Sequence, residues 1–118
     1  METKEIVRMV IEECKNSLGK GPSIVKVHID ENCLHLTIKD SLTPLEKTLL
    51  RISEENKRLV WDIRKQIIDT RFKTQFNRLF EDYEVKLNNY IFDFDFQYDQ
   101  QVMVLIFNKP LRMKDKCS

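Results

Sequence analysis

Three features of this chain predict an α+β fold: two separate segments of alternating apolar and polar residues, each broken by a polar turn; an amphipathic helical stretch ahead of the first; and a much longer one between the two. The expected order is α-β-β-α-α-β-β, with two antiparallel β-hairpins forming a mixed-topology four-stranded sheet packed on helices. With 118 residues, 42 % of them apolar and only two glycines and three prolines, the chain has the size and composition of one domain. The folded core is expected over 1–108, with 109–118 as a flexible tail.

Each element has its own justification. Ile6, Val7, Val10, Ile11, Cys14 and Leu18 recur at helical spacing, which puts one apolar stripe on a helix from Thr3 to Leu18. Gly19 ends it, and Gly21-Pro22 turns the chain into a strand, a cap and a turn rather than a phosphate loop because no Ser or Thr follows Lys20. Ile24 to Ile29 and Cys33 to Ile38 alternate around Asp30-Glu31-Asn32. Setting Val25, Val27 and Ile29 against Ile38, Leu36 and Leu34 puts every apolar residue of this hairpin on one face, and a one-residue slip would destroy that match. Thr43-Pro44-Leu45-Glu46 spells a capping box with proline in the first turn, so a short helix should run to about Ile52. Ser53, followed by Glu54 and Glu55, restarts a helix whose periodicity continues to about Tyr83. Tyr90 to Tyr98 is aromatic at alternate positions, and Val102 to Phe107 is apolar on both faces. That pattern marks a second hairpin whose last strand is either central in the sheet or covered by a partner.

Composition excludes several function classes. Twenty basic and nineteen acidic side chains leave a charge of +1, far from the balance of a dedicated nucleic-acid binder, so no nucleic acid is expected as partner. No apolar run reaches the ~20 residues of a membrane-spanning helix, and the N-terminal stretch is amphipathic and acidic rather than a charged start followed by an apolar run. The expected location is therefore the cytoplasm, at most peripheral to a membrane. Cys14, Cys33 and Cys117 are odd in number and lack C-x-x-C spacing, as befits reduced thiols. No nucleophile elbow or H-E-x-x-H motif is present, so the chain is expected not to be an enzyme, and no cofactor is expected.

Three constellations could still carry chemistry. On a regular helical wheel the long helix bears two apolar stripes, Leu59, Val60, Ile63 and Ile67 on one side and Trp61, Ile68, Phe72, Phe76, Leu79 and Tyr83 on another. One sheet cannot cover both, so Trp61, Ile68, Phe72, Phe76 and Leu79 are the expected interface of a homodimer. Between the stripes, Lys57, Arg64, Arg71 and Arg78 recur every seven residues and read as a basic ridge that, with Lys20 and Gly21, would bind an anion or an acidic partner. The bland reading of that ridge is a solvated, salt-bridged flank. In the first hairpin, His28 faces His35, with Cys33 and Asp30 at the turn end; His28, Cys33 and His35 could hold a metal, or simply form the polar outer face of a sheet. Asp93 and Asp95, about 7 Å apart on one strand face, would join those histidines if the two hairpins adjoin.

Gly19-Lys20-Gly21-Pro22, the alternating hairpin, Leu42-Thr43 with Glu46, the arginines Arg64 and Arg71, and the Asp93-containing strand before Val104 to Phe107 together resemble the MpsC family, from about Thr3 to Phe107. The family pattern often has arginine where this chain has Lys20. The resemblance implies association with a sodium-translocating, membrane-potential-generating membrane system, and it implies no catalytic residues. The leading expectation is thus a non-enzymatic cytoplasmic accessory protein, homodimeric, that contacts a membrane-system protein. The alternatives are an anion- or ligand-sensing dimer and a metal-dependent enzyme.

Overall fold

The computed structural model describes residues 3–111. Helix α1 (Thr3–Leu18) leads into strands β1 (Ile24–Asp30) and β2 (Cys33–Lys39). Helices α2 (Pro44–Ile52) and α3 (Asn56–Ile67) follow, then a π-helical turn (Ile68–Phe72), helix α4 (Lys73–Leu79) and a 3-10 turn (Glu81–Tyr83). Strands β3 (Leu87–Asp95) and β4 (Gln100–Phe107) complete the α+β fold. The sheet order is β1-β2-β4-β3, and all three pairings are antiparallel. No described helix is long and apolar enough to cross a membrane.

Local chemistry fixes the ends of these elements. Gly19 has φ +75° and donates its N–H to the Lys15 carbonyl, the left-handed closure at which a side chain would be strained. The Thr43 hydroxyl accepts from the Glu46 N–H while Glu46 Oε1 accepts from the Thr43 N–H, so the capping box is complete. Ser53 accepts from the Glu55 N–H ahead of α3. The first hairpin has the register read from the sequence, Val25 with Ile38, Val27 with Leu36 and Ile29 with Leu34.

Because β4 sits between β2 and β3, its inner residues Met103, Leu105 and Phe107 lie at the centre of the core. Leu34, Leu36, Ile38, Phe92 and Phe94 join them from the sheet, and Ile6, Val10 and Cys14 from α1. All helices cover this one face. Structure reaches beyond residue 108: Leu111 is buried, and its N–H donates to the Glu31 carbonyl at 2.8 Å. Residues beyond it, Cys117 included, lie outside the described ones.

The long helical region differs from a regular wheel. Its buried residues are Val60, Arg64, Ile68, Phe72, Phe76 and Phe80, one every four positions. In a regular α-helix such a series advances about 40° per step and would wind off the core. The π-helical turn, where the Lys73 N–H reaches back to the Ile68 carbonyl, takes more residues per turn and brings Ile68, Phe72 and Phe76 back into line. Two readings are thereby corrected. Ile68, Phe72 and Phe76, expected at a dimer interface, form the chain's own core; Leu79 packs against that core, and Trp61 is half-buried against Phe92, ring centroids 5.0 Å apart. The other stripe is the more open one, since Leu59 and Ile63 are exposed.

Candidate functional site

Position 64 belongs to the buried every-fourth series, so its guanidinium enters the protein where the sequence expected a surface ridge. Arg64 is 3 % exposed. Its Nε and Nη2 donate to Glu46 Oε2 and Oε1 at 2.8 and 2.7 Å, a bidentate pair. Nη1 donates to Ser41 Oγ at 2.9 Å and Gln101 Oε1 at 3.2 Å, and Nη2 also donates to the Ser41 carbonyl at 2.7 Å. The Phe94 ring stacks under the guanidinium, its centroid 5.1 Å from Cζ. A guanidinium has five N–H donors, and these contacts occupy all of them.

A second layer holds the first. Asp99, at φ +49° in the β3–β4 turn, accepts the backbone N–H groups of Ser41 and Leu42 at 3.0 and 3.1 Å and gives its own carbonyl to the Asp40 N–H. Lys20 donates to the Leu42 carbonyl at 3.2 Å, and Ser23 donates to Asp40. The glycine-flanked loop after α1, the segment 40–46, the long helix and the second hairpin thus meet around one charge. Glu13 makes a companion contact: it is buried, and its Oε2 accepts from Ser17 at 2.5 Å and from Arg71 Nε at 3.1 Å. Glu13 Oε1 has no hydrogen-bond partner among the described residues.

Burial pushes the Glu46 carboxyl up, but the Arg64 guanidinium and the Thr43 backbone outweigh it and hold the group below its ordinary value. Glu13 is likewise lowered, burial being outweighed by Ser17 and Arg71. The Cys14 thiol is pushed up to about 11 by burial, Arg64 opposing, so it is held as the unreactive thiol.

The predicted ridge is dispersed. Arg64 is consumed inside the protein and Arg71 is tied to Glu13; Lys57 pairs with Glu54 at 2.8 Å on the surface; Arg78 is exposed beside Glu81 and Glu84. Lys20 is engaged at Leu42, and Gly21 lies over the Lys15 stem. The structure therefore brings Lys20, Arg64 and their neighbours together, but as a closed structural network with no donor of Arg64 left for a ligand. The metal reading fails on geometry too. His28 and His35 face each other, ring centroids 5.9 Å apart, and Asp30 faces Cys33, yet no group of three or more His, Cys, Asp or Glu is placed to hold a metal among the described residues. Asp93 and Asp95 do share the histidine face, but in different rows and at least two strands away from either histidine.

Sequence reasoning missed Glu46, Ser41, Gln101 and Asp99 as Arg64's supports. The run of apolar residues at 60, 68, 72, 76 and 80 with arginine at 64 was the available signal. It also missed an open cleft of about 500 Å³ between the long helix and β3, lined by Trp61, Lys65, Asp69, Lys73, Asn88 and Tyr90 among others. There Tyr90 donates its hydroxyl to Asp69, and Lys65 pairs with Asp69 at 3.0 Å. Burial raises Asp69, but Tyr90 and Lys65 win and keep it below its ordinary value.

The residues gathered at the Arg64 network include several that carried the family resemblance: Lys20, Leu42-Thr43, Glu46 and Arg64 itself. The sequence model of the family described as the Na+-translocating membrane potential-generating system (MpsC) matches residues 2–109. The chain belongs to the MpsC family. No curated protein and no solved structure matches it significantly. For this MpsC protein, Gly19 to Pro22, Leu42-Thr43, Glu46 and Arg64 are spatial neighbours in one scaffold, and the name brings an association with a membrane system that its own described helices do not span.

Proposed function

We propose that this MpsC protein is a non-enzymatic cytoplasmic accessory component of an ion-translocating, membrane-potential-generating system, working as a homodimer and binding a membrane-embedded protein of that system. The family match over residues 2–109 carries this reading. A surface of suitable chemistry supports it: Leu45 (69 %), Ile52 (71 %), Leu59 (47 %) and Ile63 (41 %) stand exposed on the adjoining helices α2 and α3, with Arg51 and Arg58 beside them. Large apolar side chains kept in water at that density mark an interaction surface. The test is crosslinked capture from native membranes with the whole chain, alongside a Leu45→Asp/Ile52→Asp variant checked by circular dichroism. Recovery of an ion-translocating membrane protein by the wild type and its loss in the folded variant is the expected result. Equal recovery by both, or none by the wild type, overturns the reading.

The cleft beside β3 favours a second reading, ligand sensing. Lys73 is exposed on its wall and makes no ion pair among the described residues. Inorganic phosphate or a small carboxylate at about a hundred times its Kd would stabilise the fold by ~2.7 kcal/mol. A thermal-shift panel of such anions that leaves Tm unmoved removes this reading.

A further inference from the structure

The helices cover one face of the sheet and leave the other bare. That bare face is a four-by-four grid, because the registers align its residues in rows across β1, β2, β4 and β3: Asp30-Cys33-Ile106-Asn89, His28-His35-Val104-Ile91, Lys26-Thr37-Val102-Asp93 and Ile24-Lys39-Gln100-Asp95. Apolar side chains run up its middle and reach both edges. Val102 is 41 % exposed, Ile91 64 % and Ile24 43 %, while Val104 and Ile106 are half-buried. A monomeric sheet with one wet face alternates cleanly between apolar and polar residues; β4 does not. The charges are also unevenly placed, with Lys26 and Lys39 on the β1-β2 half, where Asp30 sits apart at the turn end, and Asp93 and Asp95 on β3. Among the described residues neither Lys26 nor Asp93 forms an ion pair within the chain.

We propose that this face packs against the same face of a second copy, about a twofold axis parallel to the strands that sets Lys26 of each copy against Asp93 of the other. Such a rotation exchanges β1 with β3 and β2 with β4 but keeps each row in place. Every row then meets itself reversed, and Lys26-Thr37-Val102-Asp93 lies over Asp93-Val102-Thr37-Lys26. A twofold axis across the strands would instead set β3, with Asp93 and Asp95, on the partner's β3 and take Lys26 away from both of these carboxylates, an arrangement that like-charge repulsion along β3 disfavours. The size is that of a small interface. Strands of this length and spacing give a face of about 23 by 19 Å, roughly 900 Å² for the pair before side-chain relief is counted, close to the ~1,000 Å² of a specific interface. Face-to-face sheets pack about 30° from parallel, an offset the long Lys26 stem can span. The inference rests on the dimeric part of the proposed function and gives it a surface; it is independent of the membrane partner.

Sedimentation of the purified full chain from ~1 to 200 µM tests it without any partner present. The wild type should be dimeric, and Val102→Lys, at an exposed position in mid-face, should be monomeric with an unchanged circular dichroism spectrum. Lys26→Asp and Asp93→Lys should each weaken dimerisation roughly 10- to 100-fold, and the double exchange should restore it. A monomeric wild type overturns the proposal, and if Val102→Lys then also loses membrane capture the face belongs to a foreign partner. A dimer untouched by Val102→Lys, or a double exchange that fails to recover, overturns it as well. A dimer that behaves as expected yet captures no membrane protein leaves this interface standing and removes the accessory role.

Discussion

Arg64 is surrounded by groups that were taken out of water to meet it, so its removal would strand them. Arg64→Met should destabilise the fold by about 3–5 kcal/mol in urea unfolding, because the Glu46 carboxylate would be left buried without its counter-charge. Arg64→Lys should recover only part of this, since an ammonium cannot make the two-pronged contact with Glu46. The pair also sets an acid limit. Glu46 has a folded pKa below its ordinary 4.5, so its contribution is complete above the unfolded value and is lost as pH falls through the folded one. Stability measured from pH 6 down to 3 should decline, and Glu46→Gln should flatten that decline while lowering stability at pH 6. Cys14, with its thiol pushed up to about 11, should resist an aromatic disulfide reagent at pH 8 in the native protein and react once urea unfolds it; prompt reaction in the native state would contradict its burial.

At the scale of elements, the capping box at Thr43 does two jobs, starting α2 and orienting the Glu46 carboxylate that receives Arg64. Thr43→Ala should therefore cost more than the ~1 kcal/mol of an ordinary N-cap. A loss confined to that value in thermal unfolding would mean that the box and the ion pair are independent. The hairpins and α2 were legible in the sequence because their signals are local: a two-residue period, a turn, a four-residue box. The long helical region was legible in extent but not in phase. A wheel drawn at 3.6 residues per turn placed Arg64 in line with Lys57 and Arg71, whereas position 64 lies one turn from the buried Val60 and Ile68, and the π-helical turn that follows keeps Phe72 and Phe76 on that same buried side. The network's other members were illegible for a different reason. Ser41 and Gln101 lie 23 and 37 residues from Arg64 along the chain, and Asp99 lies 58 from the Ser41 it holds, and only the strand order brings them together.

For the whole molecule, that order has β4, the last of the described strands, inside the sheet between β2 and β3. Neither hairpin's core face is closed without it: β2 depends on β4 for its second neighbour, and β3 depends on it for its only one. Shortening the chain before residue 100 should therefore abolish cooperative unfolding altogether, leaving no partly folded domain detectable by circular dichroism or near-ultraviolet signals.

A strand that comes last and sits in the middle also has a consequence in time. Arg64 and its acceptor Gln101 are separated by 37 residues of chain, which a ribosome adding about 5–20 residues per second needs roughly 2–7 s to make. Within that interval the aromatic side chains Phe72, Phe76 and Phe80 are made before β3 and β4 exist for them to lie on, so the nascent protein is a natural client for whatever binds exposed apolar segments at the ribosome.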